Sequence, residues 1–139
     1  MQHNLIRRYH NYLQQLGKLK KLQEDLGRNS THARVQQYEH QSRTLANTHL
    51  NVMAAIYERT KLHAHTYRLD PLVKRFRGSQ GMRKRIFNLR TRLIEDPRND
   101  KLQEKLNQLI AENQKEEYDL MADAMTALER ILDLESRNE

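Results

Sequence analysis

Cysteine is absent from the 139 residues, and there are only 4 Gly, 2 Pro and 2 Phe. Without cysteine there is no disulfide framework, no thiolate metal site, no iron–sulfur cluster and no cysteine nucleophile. Long hydrophobic runs are also missing, since no stretch approaches the ~18 apolar residues of a membrane span. Residues 1–8 are polar and charged, so they hold no signal-peptide apolar core. These absences lead to the expectation of a cytoplasmic or nuclear protein.

The composition instead offers 31% charged residues against 37% hydrophobic ones, rich in Leu, Gln, Glu, Lys and Arg and poor in β-branched types. That balance favours helix over sheet. The apolar residues recur every three or four positions in Leu5, Tyr9, Tyr12, Leu16, Leu19, Leu22 and Leu26, and the pattern continues through Val35, Tyr38, Ser42, Leu45, His49, Val52 and Ile56. Such spacing places them on one stripe of a helix. Cutting at the breakers gives helices at about 3–26, 31–69, 72–77, 82–95 and 97–136. Gly27 serves as a C-terminal cap, and Asn29, Ser30 or Thr31 as an N-cap. Asp70-Pro71 and Asp96-Pro97 each read as a helix start with Pro at the first position. Gly78-Ser79-Gln80-Gly81 reads as the one clear loop, with Ser79 capping the 82–95 helix. Short connections make consecutive helices antiparallel neighbours. The expected fold is all-α: a single domain over residues 1–139, an elongated antiparallel helical bundle or coiled coil of three to four helices.

Charge is distributed unevenly. Residues 1–92 carry 19 basic and 5 acidic side chains, whereas residues 93–139 carry 6 and 13. Pairing the two halves completely still leaves +7, an excess that suits an anionic partner. Within the basic part, Lys74, Arg75, Arg77, Arg83, Lys84, Arg85, Arg90 and Arg92 form the densest cluster, dominated by the guanidinium that grips phosphate through a planar fork of donors. Helical spacing suggests a stripe through Arg83, Arg90 and Arg75 or Arg77. A free helix N-terminus at Met82 would add anion-binding backbone N–H groups. Helix, glycine turn and basic helix over residues 72–93 also outline a helix-turn-helix. DNA or RNA is therefore the expected partner. Phe76, Phe87 and Tyr67 read as core residues and not as base-stacking ones.

A second feature is the broad apolar face of Leu120, Met121, Ala124, Met125, Leu128, Ile131 and Leu132. It serves as bundle core or, where uncovered, as a helix-in-groove site for a protein partner or for self-association. Asn113, where Leu would continue the seam, reads as an exposed gap, or else as a register-setting polar residue. Glu112, Glu116, Glu117 and Asp119 read as a solvated face.

Chemistry is not indicated. The seven His show neither His-Glu-x-x-His nor Glu-x-x-His spacing, so no metal ligands are assigned. His49 alone falls on a seam, and it reads as partly exposed and unpaired. Gly78-x-x-Gly81 lacks the rest of a phosphate-binding loop. With no nucleophile, base and orienter set, no catalytic residue or cofactor is expected. The leading expectation is a non-enzymatic protein that binds nucleic acid within a larger complex. The alternative is a coiled-coil adaptor without nucleic acid, and a membrane-surface role for the 82–95 helix is the minor reading.

Overall fold

The computed structural model describes residues 2–137, the side chain of Gln2 excepted. They form four helices and no strand: α1 (Gln2–Arg28), α2 (His32–Tyr67), α3 (Asp70–Glu95) and α4 (Asp100–Arg137). The chain is all-α, a helical bundle. It forms two compact units, Met1–Glu58 and Arg59–Glu139.

The first unit is an antiparallel hairpin of α1 against the front part of α2. Leu5, Tyr9 and Tyr12 are buried on α1, and Leu45, Val52, Met53 and Ile56 on α2. Gly27 does not end α1, because the helix runs through it and Asn29 N–H still bonds Asp25 O at 2.9 Å. Thr31 opens α2 by accepting from Arg34 N–H at 3.2 Å, the N-cap geometry in which a side-chain oxygen satisfies one of the four orphan donors. His49 differs from expectation. It is paired, with Tyr12 Oη 2.6 Å from its Nδ1 across the hairpin.

The second unit holds the end of α2, with α3 and α4 antiparallel to each other. Arg68 closes α2 at φ 56°, and Leu69 N–H reaches back to Ala64 O at 2.9 Å. This is the left-handed Schellman ending, with arginine where glycine is customary. Asp70 is already helical in α3 and Pro71 follows it, one position later than the sequence suggests, with Leu69 as the N-cap. At the other end Asp96 belongs to the closure of α3, its N–H bonding Arg92 O at 3.0 Å. The cap of α4 is Asn99, whose Oδ1 accepts from Leu102 N–H at 3.0 Å. The second Asp-Pro pair therefore lies in the connecting turn and not at a helix start.

The largest correction is in α3. Residues 78–81 form no loop: α3 is one helix of 26 residues, and no glycine in it has positive φ. Val73, Phe76, Ser79, Ile86 and Leu89 are buried along it. Ile86 and Leu89 pack with Leu102 and Leu106 of α4, flanked by Met82, Leu93, Leu109 and Ile110. Two glycines cost about 2 kcal/mol of helix propensity, less than the burial of a few such side chains returns at roughly 1.5–3 kcal/mol each.

A Cβ added at Gly78 or Gly81 meets nothing within 4 Å. Gly78→Ala and Gly81→Ala are each expected to stabilise the fold by about 0.5–1 kcal/mol, read as a higher urea midpoint. A loop with left-handed glycines would respond in the opposite direction.

Candidate functional site

With the break removed, the eight basic residues of 74–92 all stand on one helix, and their places on it differ from the expected stripe. At 100° per residue, Lys74, Arg77, Lys84, Arg85 and Arg92 fall within an arc of about 100°, over about 27 Å of axis. All five are exposed. Among the described residues none of them has a carboxylate within ion-pair distance. Arg90 is exposed too, but it projects from another side of the helix.

Arg75 and Arg83 turn towards α4 instead. Arg75 Nε bonds Glu116 at 3.0 Å and its Nη1 bonds Asp123 at 2.8 Å. The hydrogen bond to Asp123 raises the Arg75 pKa most; partial burial opposes this and Glu116 adds to the rise. Arg83 grips Glu117 with two donors, Nε to Oε2 at 2.6 Å and Nη2 to Oε1. The Glu117 side chain is only 3% exposed, against 39% for Arg83.

Glu117 is the centre of a buried polar cluster. Ser79 Oγ donates to its Oε2 at 2.5 Å, and Asn113 Nδ2 donates to the same oxygen at 3.3 Å. Ser79 and Asn113 are themselves buried. Three expectations are overturned here. Ser79 caps nothing, Asn113 is no exposed gap, and Glu117 leaves the solvated face on which Glu112, Glu116 and Asp119 remain. A buried carboxylate is retained only where donors replace its water, and four donor atoms do so. The sequence carries a faint signal for this site. Ser79/Arg83 and Asn113/Glu117 are both i, i+4 pairs that interrupt apolar seams, but only the packing of α3 on α4 makes them face each other.

The two remaining anion-binding ideas also fall away. A helix-turn-helix needs a turn, and α3 has none. The backbone at Met82 lies inside a helix, so its N–H groups are not free to hold an anion.

The apolar face of α4 is buried by the chain itself: Leu120, Met121, Ala124, Met125, Leu128 and Ile131 are 0–3% exposed, and Leu132 is half-buried. It is core and offers no free groove. Phe76 is likewise core, at 1% exposure, whereas Phe87 is 68% exposed, against expectation. Near the end of α2, Tyr67 Oη donates to Glu135 at 3.4 Å. Partial burial and then that carboxylate push the Tyr67 hydroxyl above its usual range.

No protein-family model, curated protein or solved structure matches this chain. No helix among the described residues is long and apolar enough to cross a membrane. No group of three or more His, Cys, Asp or Glu among them is placed to hold a metal ion.

Proposed function

We propose that this protein binds nucleic acid through the solvent side of α3, as a non-enzymatic component of a larger complex. The supporting observation is the division of labour among its cations. Arg75 and Arg83 are consumed by carboxylates of α4, whereas Lys74, Arg77, Lys84, Arg85 and Arg92 are exposed together and unneutralised. One strand of B-DNA presents a phosphate about every 3.4 Å, so about 27 Å of helix runs beside roughly eight of them. Gly81 lies within the same arc, with Gly78 just beyond its edge, and both leave the backbone open to close approach.

The alternative, a coiled-coil adaptor or structural subunit without nucleic acid, keeps its long helices but not the 120–132 face as a docking surface, because that face is core. The nucleic-acid reading is tested by fluorescence anisotropy against DNA and RNA across a salt series. Affinity should fall steeply with salt, by about 0.9 in the log–log slope for each phosphate contact on duplex DNA. Replacing Lys84, Arg85 and Arg92 by Gln should flatten that slope by up to about 2.7 on the same basis. Arg130→Gln, which removes one exposed charge from α4, should leave it unchanged. Binding that is indifferent to the three substitutions would remove α3 from the interface.

A further inference from the structure

Phe87 and Ile94 are 68% and 80% exposed on a helix whose other large apolar residues are buried, as Val73, Phe76, Ile86 and Leu89 are, or half-buried, as Leu72, Met82 and Leu93 are. They lie seven residues apart, so they stand nearly one above the other on a side that α4 does not cover. Lys84 and Arg90, both exposed, flank Phe87 at i−3 and i+3, about 60° to either side of it on the helix and about 9 Å apart along the axis. An aromatic ring is thus held in water between two cations at the border of the α3 stripe.

Three kinds of partner use apolar groups beside positive charge, and the arrangement fits one of them. A partner helix needs a continuous apolar seam. Here Arg90 and Thr91 lie between Phe87 and Ile94, and Arg83 and Lys84 precede them, so the seam is broken at every second step. An anionic bilayer takes a helix with a wide apolar face, and two separated side chains do not make one. An unpaired base needs only a single exposed ring to stack on, with cations on either side for its flanking phosphates. In a duplex the base faces are already occupied by their neighbours, so such a ring has nothing to meet.

We infer that the α3 face selects single-stranded nucleic acid, with Phe87 as the platform for an unpaired base and Lys84 and Arg90 as contacts to the phosphates beside it. This rests on the proposed function and adds the class of ligand to it. The cations supply affinity that any phosphate chain shares, and the ring supplies the preference for the unpaired strand.

The experiment compares the intact protein with Phe87→Leu and Phe87→Trp, by anisotropy, on an unstructured single-stranded oligonucleotide, its abasic counterpart of equal phosphate number, and a duplex. Leu is a good helix former and Phe87 packs little, so the variant should fold, which circular dichroism checks. Phe87→Leu should lose about 5- to 150-fold in affinity for the single strand, the range for one stacked base. Its affinity for the duplex and the abasic strand, and its salt slope, should not move. Phe87→Trp should restore single-strand binding. The protein has no other tryptophan, so quenching of that indole by the single strand, and not by the duplex, reports stacking directly.

Salt-dependent binding that survives Phe87→Leu at full strength would overturn the stacking inference and leave the α3 interface standing. No binding to any nucleic acid at low salt would remove both. Phe87-dependent pelleting with vesicles of anionic lipid, in place of strand binding, would reassign the ring to a membrane surface and overturn the inference.

Discussion

Arg83→Met is expected to destabilise the fold by about 3 kcal/mol, the lower end of the cost of breaking a buried ion pair. The asymmetry between the partners sets the size. Glu117 is almost wholly dry at 3% side-chain exposure, whereas Arg83 keeps 39%. Removing the arginine strands a carboxylate away from water. Removing the glutamate lets the guanidinium turn outwards, but it leaves Asn113 Nδ2 without its carboxylate and Ser79 with only the long contact to Asn113 Oδ1 at 3.5 Å. Glu117→Leu should therefore cost less, about 1–3 kcal/mol for the unsatisfied groups. The quadruple replacement of Ser79 by Ala, Arg83 by Met, Asn113 by Leu and Glu117 by Leu removes these four polar groups at once. It should return to the parent stability or exceed it by about 1–4 kcal/mol, because a buried polar cluster is seldom worth more than well-packed hydrocarbon. Urea denaturation measures all three, provided the m value stays constant. A loss below about 1 kcal/mol for Arg83→Met would mean that the Glu117 carboxylate reaches water. The cluster then has a role other than stability. Polar groups placed in a seam penalise every register in which they do not meet, and Ser79 and Arg83 meet Asn113 and Glu117 in one register only.

Leu120→Ala should cost about 2–5 kcal/mol, the usual penalty for truncating a fully buried leucine and leaving a cavity. Leu120 is 0% exposed, with Met121 at 1% and Ala124 at 0% on the same face. The result separates two roles for the 120–132 face. A surface held open for a partner would tolerate the change within about 0.5 kcal/mol in the isolated chain and would lose only association. A core position lowers the thermal midpoint of the protein by itself, at any protein concentration. The apolar residues of this face are buried within the chain itself.

Much of the fold is legible in the residues alone. Helical spacing selects Leu5, Tyr9 and Tyr12, then Leu102, Leu106 and the residues from Leu120 to Ile131, all buried, whereas Leu16, Leu19, Leu22 and Leu26 of the same α1 stripe are half-buried and Val35 is exposed. Thr31 caps α2 as a threonine before a helix should. Residue type misleads in two ways. Gly78 and Gly81 are breakers on local propensity, but differences of about 1 kcal/mol are easily overridden by packing, whereas Asp96 and Pro97 do interrupt the helices and only the start of α4 is displaced, to the Asn99 cap. Ser79 resembles a cap because its true partner, Glu117, lies 38 residues away in the chain.

The same distinction governs the candidate site. Amino-acid order alone determines that the chain is helical, that its excess charge is positive, and that Lys and Arg are densest between residues 74 and 92, because these follow from residue type and spacing. Only the tertiary structure decides which cations remain available. Once α4 lies against α3, its carboxylates capture Arg75 and Arg83 and leave Lys74, Arg77, Lys84, Arg85 and Arg92 to the solvent, and in the folded chain Phe76 is buried while Phe87 stays exposed. Charge partners and burial depend on distance in space, which spacing along a helix specifies for that helix and for nothing packed against it.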